Sequence, residues 1–393
     1  MLSSCLRQVE APHLGAEFER IVPSVSVALV TNYIPPYREP LYELLAERLG
    51  VVVYCFGGES HFVPEPLRDL DRQVEAARFP AHVLTHQRDA FSVGKGHDAV
   101  IASLVGRIAL PAAFLGARRH HRPFVLWASL WRHPGTAAHL FSFPLMRHLY
   151  RHADAVLAYG PHVSRYVERY RGNDEGLFVA PQAVESELFG RHVSTQEAAA
   201  WRADLGLGDS RLVLFVGRLV EEKGIDVLGD AWRRLDPDGA ILCVVGEGSR
   251  RQPDRAGSHA GFVFAGRMER ERLPVAYAAA DVVVVPSLAT RRFLEPWGLV
   301  CNEAMSQGCA VVATTAVGAA AGGLVRNGET GLVVAPGDAP ALARAVDRLL
   351  GDAQLRARLG REAKAAVASY TYDRAAEAFT SAISRARAAR TEG

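Results

Sequence analysis

The stretch Arg211-Leu-Val-Leu-Phe-Val216, followed at once by Gly217, decides how this 393-residue chain folds. It is a short, continuous apolar run that ends at a glycine, which predicts a strand buried on both faces. Similar runs recur through the second half of the chain, at residues 240–245, 262–265, 281–285, 310–313 and 331–334. Each run is bounded by glycine or proline. We therefore predict a parallel sheet covered by helices on both faces.

The first half of the chain shows the same alternation. Strands are predicted at residues 25–30, 51–56, 98–103, 124–126 and 154–158, and a helix at 39–49. Between about residues 181 and 208 the pattern weakens, which indicates a domain boundary. We predict an α/β protein with two doubly wound, Rossmann-like domains facing across a cleft. The predicted division is a loose tail (1–20), a first domain (21–185), a linker (186–208), a second domain (209–371) and a C-terminal helix (372–393). One interpretation of the C-terminal helix is that it crosses back to the first domain.

The composition describes a globular chain, since 49% of residues are hydrophobic and 22% are charged. The formal net charge is only +2, and we expect no nucleic-acid partner. Residues 99–153, however, contain seven arginines and six histidines but no Asp or Glu. Two interpretations of this basic region are equally open: contact with an anionic membrane or acceptor, or a solvated surface compensated from elsewhere in the fold.

The termini and cysteines predict a cytoplasmic protein, associated with the inner face of the membrane if the basic region contacts lipid. No basic segment followed by an apolar core begins the chain, so no secretory signal is expected. The apolar window 99–117 is interrupted by Arg107 and Pro111, which favours a buried strand and helix over a membrane span. The five cysteines show no CxxC spacing, as expected for buried thiols in a reducing compartment.

The first candidate site is Val216-Gly-Arg-Leu-Val-Glu-Glu-Lys-Gly224. Gly217 follows the strand directly, so the chain can turn tightly there. Arg218 then lies at the carboxyl end of the strand, and Lys223 lies near the start of the next helix. Two cations above a helix amino terminus suit a diphosphate, although two solvated surface charges would give the same spacing.

The second candidate site is Phe293-Leu-Glu-Pro-Trp-Gly-Leu-Val-Cys-Asn-Glu303. Glu295 and Glu303 are eight positions apart, the first in a loop and the second one turn inside a helix that begins near Leu299. Their carboxylates can accept hydrogen bonds from sugar hydroxyls. Gly298 lets backbone amides approach a ligand closely. By itself this pair is equally compatible with a surface Glu and an ordinary helical Glu.

Together these segments resemble the retaining glycosyltransferases of family 4, the glycosyl transferases group 1, which have the two-domain GT-B fold. The chain contains the E-x7-E signature as Glu295 and Glu303, and the G-R-x4-K-G signature as Gly217, Arg218, Lys223 and Gly224. Further matches of the same type and order are Val245-Gly-Glu-Gly248, Pro286-Ser287 and Asn327-Gly-Glu-Thr-Gly331. The resemblance runs from about residue 211 to 370.

The resemblance implies a role for each matched residue. Arg218 and Lys223 would hold the donor diphosphate, Glu295 would bind the transferred sugar near its reacting face, and Glu303 would bind the ribose hydroxyls. Residues expected around the donor are Gly217, Gly246, Gly248, Arg267, Met268, Gly298, Leu299 and Val300. No metal or other cofactor is expected, because the cations and the helix start supply the positive charge.

The first half matches the family less tightly. Family members often have a Gly-Gly pair in the loop after the first strand, whereas this chain has Pro35-Pro36 followed by Arg38. Proline lacks the backbone donor that would contact phosphate, so Arg38 is considered as a substitute. Trp127, Trp131 and His133 lie where members place a sugar-binding histidine, but core packing explains them equally well.

The resemblance implies a retaining, metal-independent hexosyltransferase that uses a nucleotide diphosphate sugar. A glycan, a lipid-linked molecule or a small molecule would be the acceptor, in surface polysaccharide or glycoconjugate biosynthesis. Two alternatives are kept: a catalytically degenerate GT-B module that binds a glycan or a partner, and a nucleotide-sugar epimerase of the same fold. A nucleotide-dependent oxidoreductase is disfavoured, because residues 31–38 contain no glycine.

Overall fold

The computed structural model describes residues 25–57, 68–235, 239–249 and 261–391. The predicted tail over residues 1–20 lies outside this part of the chain. The strands are β1 (Val27–Thr31), β2 (Val51–Cys55), β3 (Ala81–Val83), β4 (Ala99–Ser103), β5 (Phe124–Ala128), β6 (Ala155–Ala158), β7 (Leu177–Val179), β8 (Arg211–Val216), β9 (Ala240–Val245), β10 (Phe262–Gly266), β11 (Val282–Val285), β12 (Ala310–Thr314) and β13 (Leu332–Val334).

Helices connect most of these strands. They are α1 (Glu39–Leu49), α2 (Leu70–Ala76), α3 (Ala109–Arg119), α4 (Ala137–His152), α5 (Pro161–Arg171), α6 (Ser186–Phe189), α7 (Thr195–Asp204), α8 (Ile225–Leu235), α9 (Leu273–Ala279), α10 (Val300–Ser306), α11 (Gly318–Ala321), α12 (Ala339–Gly351), α13 (Ala353–Val367) and α14 (Tyr372–Thr391). None of the described helices is long and apolar enough to cross a bilayer.

Two separate parallel sheets organise the chain. The first has seven strands in the order β3-β2-β1-β4-β5-β6-β7, and the second has six in the order β10-β9-β8-β11-β12-β13. In each sheet the strand order reverses beside the first strand, β1 or β8, which is where ligands bind in open α/β sheets. The prediction of two Rossmann-like domains is therefore confirmed.

The apolar composition of the strands follows from their burial. All five residues of β1, β4 and β5 are buried, because helices cover both faces of the sheet. Strands β3 and β7, which the sequence did not predict, have three residues each and lie at the two edges of the first sheet. Their partly exposed positions leave no continuous apolar run to recognise.

The segment between the two sheets contains structure of its own. Helices α6 and α7 lie within residues 186–208, where the sequence pattern is weak. Phe189 and Trp201 from these helices are buried with Tyr277 in the core of the second sheet. Long-range packing rather than helical periodicity therefore stabilises this segment.

The last helix, α14, lies against the first sheet rather than the second. Phe379 packs edge-on against Trp127 of β5, with ring centroids 4.9 Å apart. The Tyr372 hydroxyl, at the start of the helix, donates a hydrogen bond to the Tyr37 carbonyl (2.7 Å). The chain thus begins and ends its described part in the same domain, with the second domain inserted between.

Candidate active site

The turns that follow β8 and β9 are packed against each other. Gly217 donates its N–H to the Val245 carbonyl (3.0 Å), and Gly246 donates to the Gly266 carbonyl (2.8 Å). A Cβ atom on Gly246 would lie 1.9 Å from the Gly217 carbonyl oxygen. Glycine is therefore required at position 246 by backbone contact. Gly248 follows in the same loop.

Lys223 and Glu295 form a buried ion pair at the carboxyl edge of the second sheet. The Lys223 Nζ atom lies 2.5 Å from Glu295 Oε2, and the two side chains are 20% and 10% exposed. The Ser287 hydroxyl donates a second hydrogen bond to the same oxygen (3.1 Å). Ser287 is itself held through its carbonyl by the Thr314 hydroxyl (2.6 Å). The two sequence motifs thus meet at one carboxylate.

Glu303 lies on the first turn of α10 and is partly buried. Its carboxylate accepts a hydrogen bond from the Tyr277 hydroxyl of α9 (2.6 Å). Burial raises the pKa of the Glu303 carboxyl above its ordinary value, while the Tyr277 hydrogen bond and the charges of Arg270 and Lys223 act in the opposite direction. Burial and the neighbouring carboxylate also raise the pKa of Tyr277, which stays a hydrogen-bond donor.

The backbone between the two glutamates turns sharply. Gly298 has a φ of 90°, a region that other residues rarely adopt, and Leu299 precedes the first residue of α10, Val300. The amides of a helix's first turn have no acceptor inside the helix, so they can donate to a ligand. Gly298, Leu299 and Val300 therefore lie between Glu295 and Glu303 with backbone donors to offer.

Arg218 faces the first domain. Its side chain is 52% exposed, and its Nη2 atom lies 3.5 Å from Glu222. Burial raises the pKa of Tyr33, in the loop after β1, to about 12, and the positive charge of Arg218 counteracts this effect. Arg218, in the turn after β8, is thus close enough to the loop after β1 for its charge to act on Tyr33.

Arg38 makes its contacts within the first domain. It is buried, with its guanidinium 4.0 Å from the centre of the Trp127 ring, and it donates a hydrogen bond to the Tyr159 hydroxyl. Trp127 is buried in the core with Phe379. Arg38 is therefore engaged in cation–π and hydrogen-bonding contacts of the core. Trp127 is part of the core packing and does not line the site.

Arg267 and Met268 lie beyond the end of β10. The Arg267 guanidinium is 3.6 Å from the carboxylate of Glu247, in the loop after β9. Both residues line a cavity of about 310 Å³ that also includes Trp201 of α7 and Leu205, which directly follows that helix. Their surroundings are therefore separate from the Lys223–Glu295 pair, and the structure shows no direct contact between the two groups.

The loop that carries Glu295 is held by side chains of the first domain. Trp131 donates its Nε1–H to the Glu295 carbonyl (3.1 Å), and His162 donates from Nε2 to the Pro296 carbonyl (3.0 Å). Arg132 donates to the carbonyls of Thr290 and Phe293. We call these three residues the loop clamp. Because all three contact backbone, the clamp positions Glu295 whatever side chains the loop carries.

His162 is the buried member of the loop clamp. It follows β6 and packs edge-on against Trp131, with ring centroids 5.1 Å apart. Burial lowers its pKa to about 4, so the ring is neutral at physiological pH. Its Nδ1 atom has no hydrogen-bond partner in the described part of the chain.

His133 does not reach this region. Its Nε2 atom bonds to the His139 carbonyl (2.6 Å) at the start of α4, and its ring packs on Phe143. Among the residues that the structure describes, no group of three or more His, Cys, Asp or Glu side chains is arranged to hold a metal ion.

The sequence analysis assigned no role to three contributors to this arrangement. Tyr277 lies in a helix whose residues are mostly small and apolar, and nothing local marks its hydroxyl as a partner for Glu303. His162 had a usable signal, since it comes directly after the carboxyl end of β6, where site residues collect in parallel sheets. Ser287 was noted only as part of a motif, although it also follows a strand end.

The two facing Rossmann-like domains, with polar groups gathered at the strand ends between them, define the GT-B class of glycosyltransferase fold. The solved structure of Anabaena Alr3699/HepE in complex with UDP and glucose superimposes with a TM-score of 0.74 at 20% identity, covering 92% of this chain and 99% of that one. At this identity the likeness shows the fold alone.

The family follows from sequence comparison. A family profile, Glycosyl transferases group 1, matches residues 197–366. The glycogen synthase of Mycobacterium tuberculosis is 30% identical over 328 residues, which are 74% of this chain and 75% of that protein. This chain therefore belongs to the glycosyl transferases group 1 family.

Other relatives match over shorter regions. The D-inositol 3-phosphate glycosyltransferase of Xylanimonas cellulosilytica is 35% identical over 250 residues, 60% of this chain and 57% of that protein. The chain spans about half the length of several curated relatives that it matches.

Proposed function

We propose that this protein transfers a sugar from a nucleotide diphosphate sugar to an acceptor. The observation that supports the proposal is the Lys223–Glu295 pair with Ser287, which joins two distant motifs at the cleft. The similarity to a protein solved with UDP and glucose, and to relatives named as glycosyltransferases, favours the same class of donor.

In this proposal Lys223 binds both Glu295 and the donor. A lysine ammonium has three donors, so Nζ can keep its contact with Glu295 and still bind a diphosphate oxygen. Arg218, exposed on the cleft wall, supplies a second cation for the same diphosphate. Glu295 then orients the sugar, and Glu303 accepts hydrogen bonds from the ribose. Arg267 and Met268 border the base.

We propose that the reaction retains the configuration of the sugar and needs no metal. The bond between the anomeric carbon and the diphosphate oxygen breaks ahead of attack, and a bond to the acceptor oxygen forms on the same face. The acceptor's proton passes to the departing phosphate oxygen. Lys223 and Arg218 stabilise the charge that develops on this leaving group, which is the contribution a metal would otherwise make.

The acceptor is proposed to be a hydroxyl of a glycan, a lipid-linked molecule or a small molecule, as in the assembly of surface polysaccharides or glycoconjugates. The first domain would bind it, because the clefts of such two-domain folds place donor and acceptor on opposite walls. Tyr33, in the loop after β1 and within reach of the Arg218 charge, lies on this proposed acceptor wall.

Binding and hydrolysis of UDP-, GDP-, ADP- and dTDP-sugars, measured with chelator present, test the proposal. We expect selective binding of one nucleotide sugar by the unaltered protein and a loss of at least about tenfold in Lys223→Ala, the usual size of a charged hydrogen bond. Lys364→Ala removes a lysine exposed on α13 and should bind normally. Turnover that requires an added metal would contradict the metal-independent mechanism.

The same panel separates the alternatives. Consumption of the donor without any acceptor, giving a sugar of changed configuration, would identify an epimerase. No binding of any nucleotide sugar by folded protein would favour a degenerate binding module and would contradict the proposed transferase function.

A further inference from the structure

The outer surface of α4 exposes large apolar side chains. Leu140 is 67% exposed and Phe141 is 87% exposed, both in the first two turns of the helix, and Leu145 is 40% exposed. The later turns of the same helix expose a basic set: Arg147, His148, Arg151 and His152. The helix thus changes from apolar to basic along its exposed face.

The neighbouring helix α3 continues this character. Ile108, just before its first residue, and Leu115 are each 56% exposed. Both helices cover the same face of the first sheet, and Phe114 of α3 contacts His148 of α4, with ring centroids 5.7 Å apart. Exposed apolar side chains of this size on adjacent helices indicate an interaction surface.

A groove runs along the outer side of α3. It encloses about 650 Å³, and its lining is mainly apolar, from Phe91, Ile108, Pro111, Ala112 and Leu115. Arg88, Asp89, Ser92 and Arg107 complete the lining. The Asp89 carboxylate accepts a hydrogen bond from the backbone N–H of His86 (2.9 Å). The groove is therefore mainly apolar, with two arginines and one aspartate on its walls.

The charges of the basic region are partly used within the fold. Arg118 pairs with Asp154 (3.1 Å) and Arg122 with Asp98 (3.7 Å), and both acids lie just outside residues 99–153. Arg119 and Arg147 remain exposed, on α3 and α4. The remaining surface carries positive charge beside apolar side chains, and no acid within 99–153 opposes it.

We propose that Ile108, Leu115, Leu140, Phe141 and Leu145 form a membrane-docking surface that inserts into an anionic lipid bilayer. The apolar side chains would enter the acyl boundary, and the arginines would lie at the level of the lipid phosphates. A bilayer fits better than a folded protein partner, because residues 99–153 of this surface carry exposed arginines and no Asp or Glu, and Asp89 is the single acid in the lining of the groove. The α3 groove would accept one lipid chain.

Docking in this way places the cleft next to the membrane. Gly135, two residues before α4, donates its N–H to the Arg291 carbonyl (2.8 Å) in the loop that carries Glu295. The exposed Leu140 and Phe141 are therefore close to the cleft rim. If the protein is the transferase proposed above, its acceptor is anchored in the bilayer by a lipid and reaches the cleft from the membrane surface.

Flotation of the full chain with vesicles tests the docking surface. Vesicles of phosphatidylcholine alone are compared with vesicles that contain about 30% phosphatidylglycerol, an anionic lipid, at low and at high salt. We expect binding to the anionic vesicles only, weakened by salt. The double variant Leu140→Ser/Phe141→Ser should bind at least about tenfold more weakly, since two large side chains no longer leave water.

Val179→Ser is the matched control. It removes another exposed apolar side chain, 39% exposed on β7 at the sheet edge, and should bind vesicles as the unaltered protein does. Circular dichroism and nucleotide-sugar binding in the absence of lipid show that each variant is folded. Normal donor binding with lost vesicle binding separates this surface from the donor site.

Two results would overturn the proposal. One is equal vesicle binding by the double variant and the unaltered protein, or no binding by either. The other is a dimer in light scattering that the double variant dissociates, without any affinity for vesicles, which would identify the surface as an interface between two copies of the chain.

Discussion

At the scale of single residues, Glu303 is a carboxyl group whose proton affinity the fold has altered. Burial raises its pKa, so between its ordinary value and its raised value the folded protein binds more protons than the unfolded chain. Over that interval the free energy of unfolding decreases as pH rises. The ionised carboxylate needed to bind a ribose therefore costs stability at neutral pH.

Glu303→Gln should remove this cost while keeping an acceptor for the Tyr277 hydroxyl. We expect the variant to be more stable than the unaltered protein at pH 7, with the difference shrinking as pH falls and Glu303 becomes protonated. Urea unfolding of both proteins at several pH values between 4 and 8 measures this difference in stability. Glu362→Gln, on the exposed face of α13, is the control and should show no such trend. A variant less stable at every pH would contradict this account.

His162 affects the pH dependence of stability in the opposite direction from Glu303. Burial lowers its pKa to about 4, so between about pH 6.5 and 4 the unfolded chain binds more protons than the folded protein. Stability should therefore fall as pH falls through this interval, by about 3 kcal/mol in total from this one group.

His162→Gln removes the titrating ring and should flatten that acid loss. The measurement is again urea unfolding at several pH values, with the exposed His192→Gln as the matched control. We also expect kcat to fall in His162→Gln at pH 7, because the loop clamp loses its bond to Pro296. An unchanged slope of stability against pH between 6.5 and 4 would rule out a buried, neutral His162.

At the scale of elements, the turns after β8 and β9 depend on close backbone contact. A methyl group at position 246 has no room, since it would lie 1.9 Å from the Gly217 carbonyl. Gly246→Ala should therefore shift the turn that carries Arg218, lowering the free energy of unfolding by about 2 kcal/mol or more. Donor binding should weaken as well.

Gly351→Ala is the control for this prediction. Gly351 ends α12, and a Cβ there would meet nothing within 4 Å. Thermal unfolding of both variants, with nucleotide-sugar binding below the transition, provides the comparison. If Gly246→Ala unfolded and bound donor as Gly351→Ala does, the turn would not depend on the contact with Gly217.

At the scale of the whole molecule, α14 ties the end of the chain to the first domain. Phe379 is fully buried against Trp127, which also lies under the Arg38 guanidinium. Phe379→Ala should lower the free energy of unfolding by about 3–5 kcal/mol, the usual cost of emptying a buried aromatic position. Calorimetry measures the change, and the loss should appear in the transition of the first domain.

Glu377→Ala, on the exposed side of the same helix, provides the comparison and should change stability by less than about 0.5 kcal/mol. Equal effects of the two substitutions would mean that α14 contributes little to the core. A loss confined to the second domain would instead contradict the packing of α14 on the first sheet.

Much of this architecture follows from local patterns. The run at 211–216 forms β8 with the predicted bounds, and the helix predicted at 39–49 is α1. Continuous apolar strands followed by glycine are enough to predict a parallel sheet, because burial on both faces leaves a signal in the sequence itself. The order of the glycine, arginine, lysine and glutamate motifs likewise indicated the family before any contact was known.

Other features depend on residues that are far apart in the chain. Lys223 and Glu295 are 72 residues apart, and Arg38 and Tyr159 are 121 residues apart. Periodicity says which face of a helix is buried but not which distant group it meets, so Arg38 was considered for phosphate binding although it stacks on Trp127. Similarly, an apolar helix such as α4 predicts burial, and only the packing around it leaves Leu140 and Phe141 in solvent. The sequence by itself therefore determined the two sheets and the family, whereas tertiary structure decided which polar groups meet and which apolar surface stays uncovered.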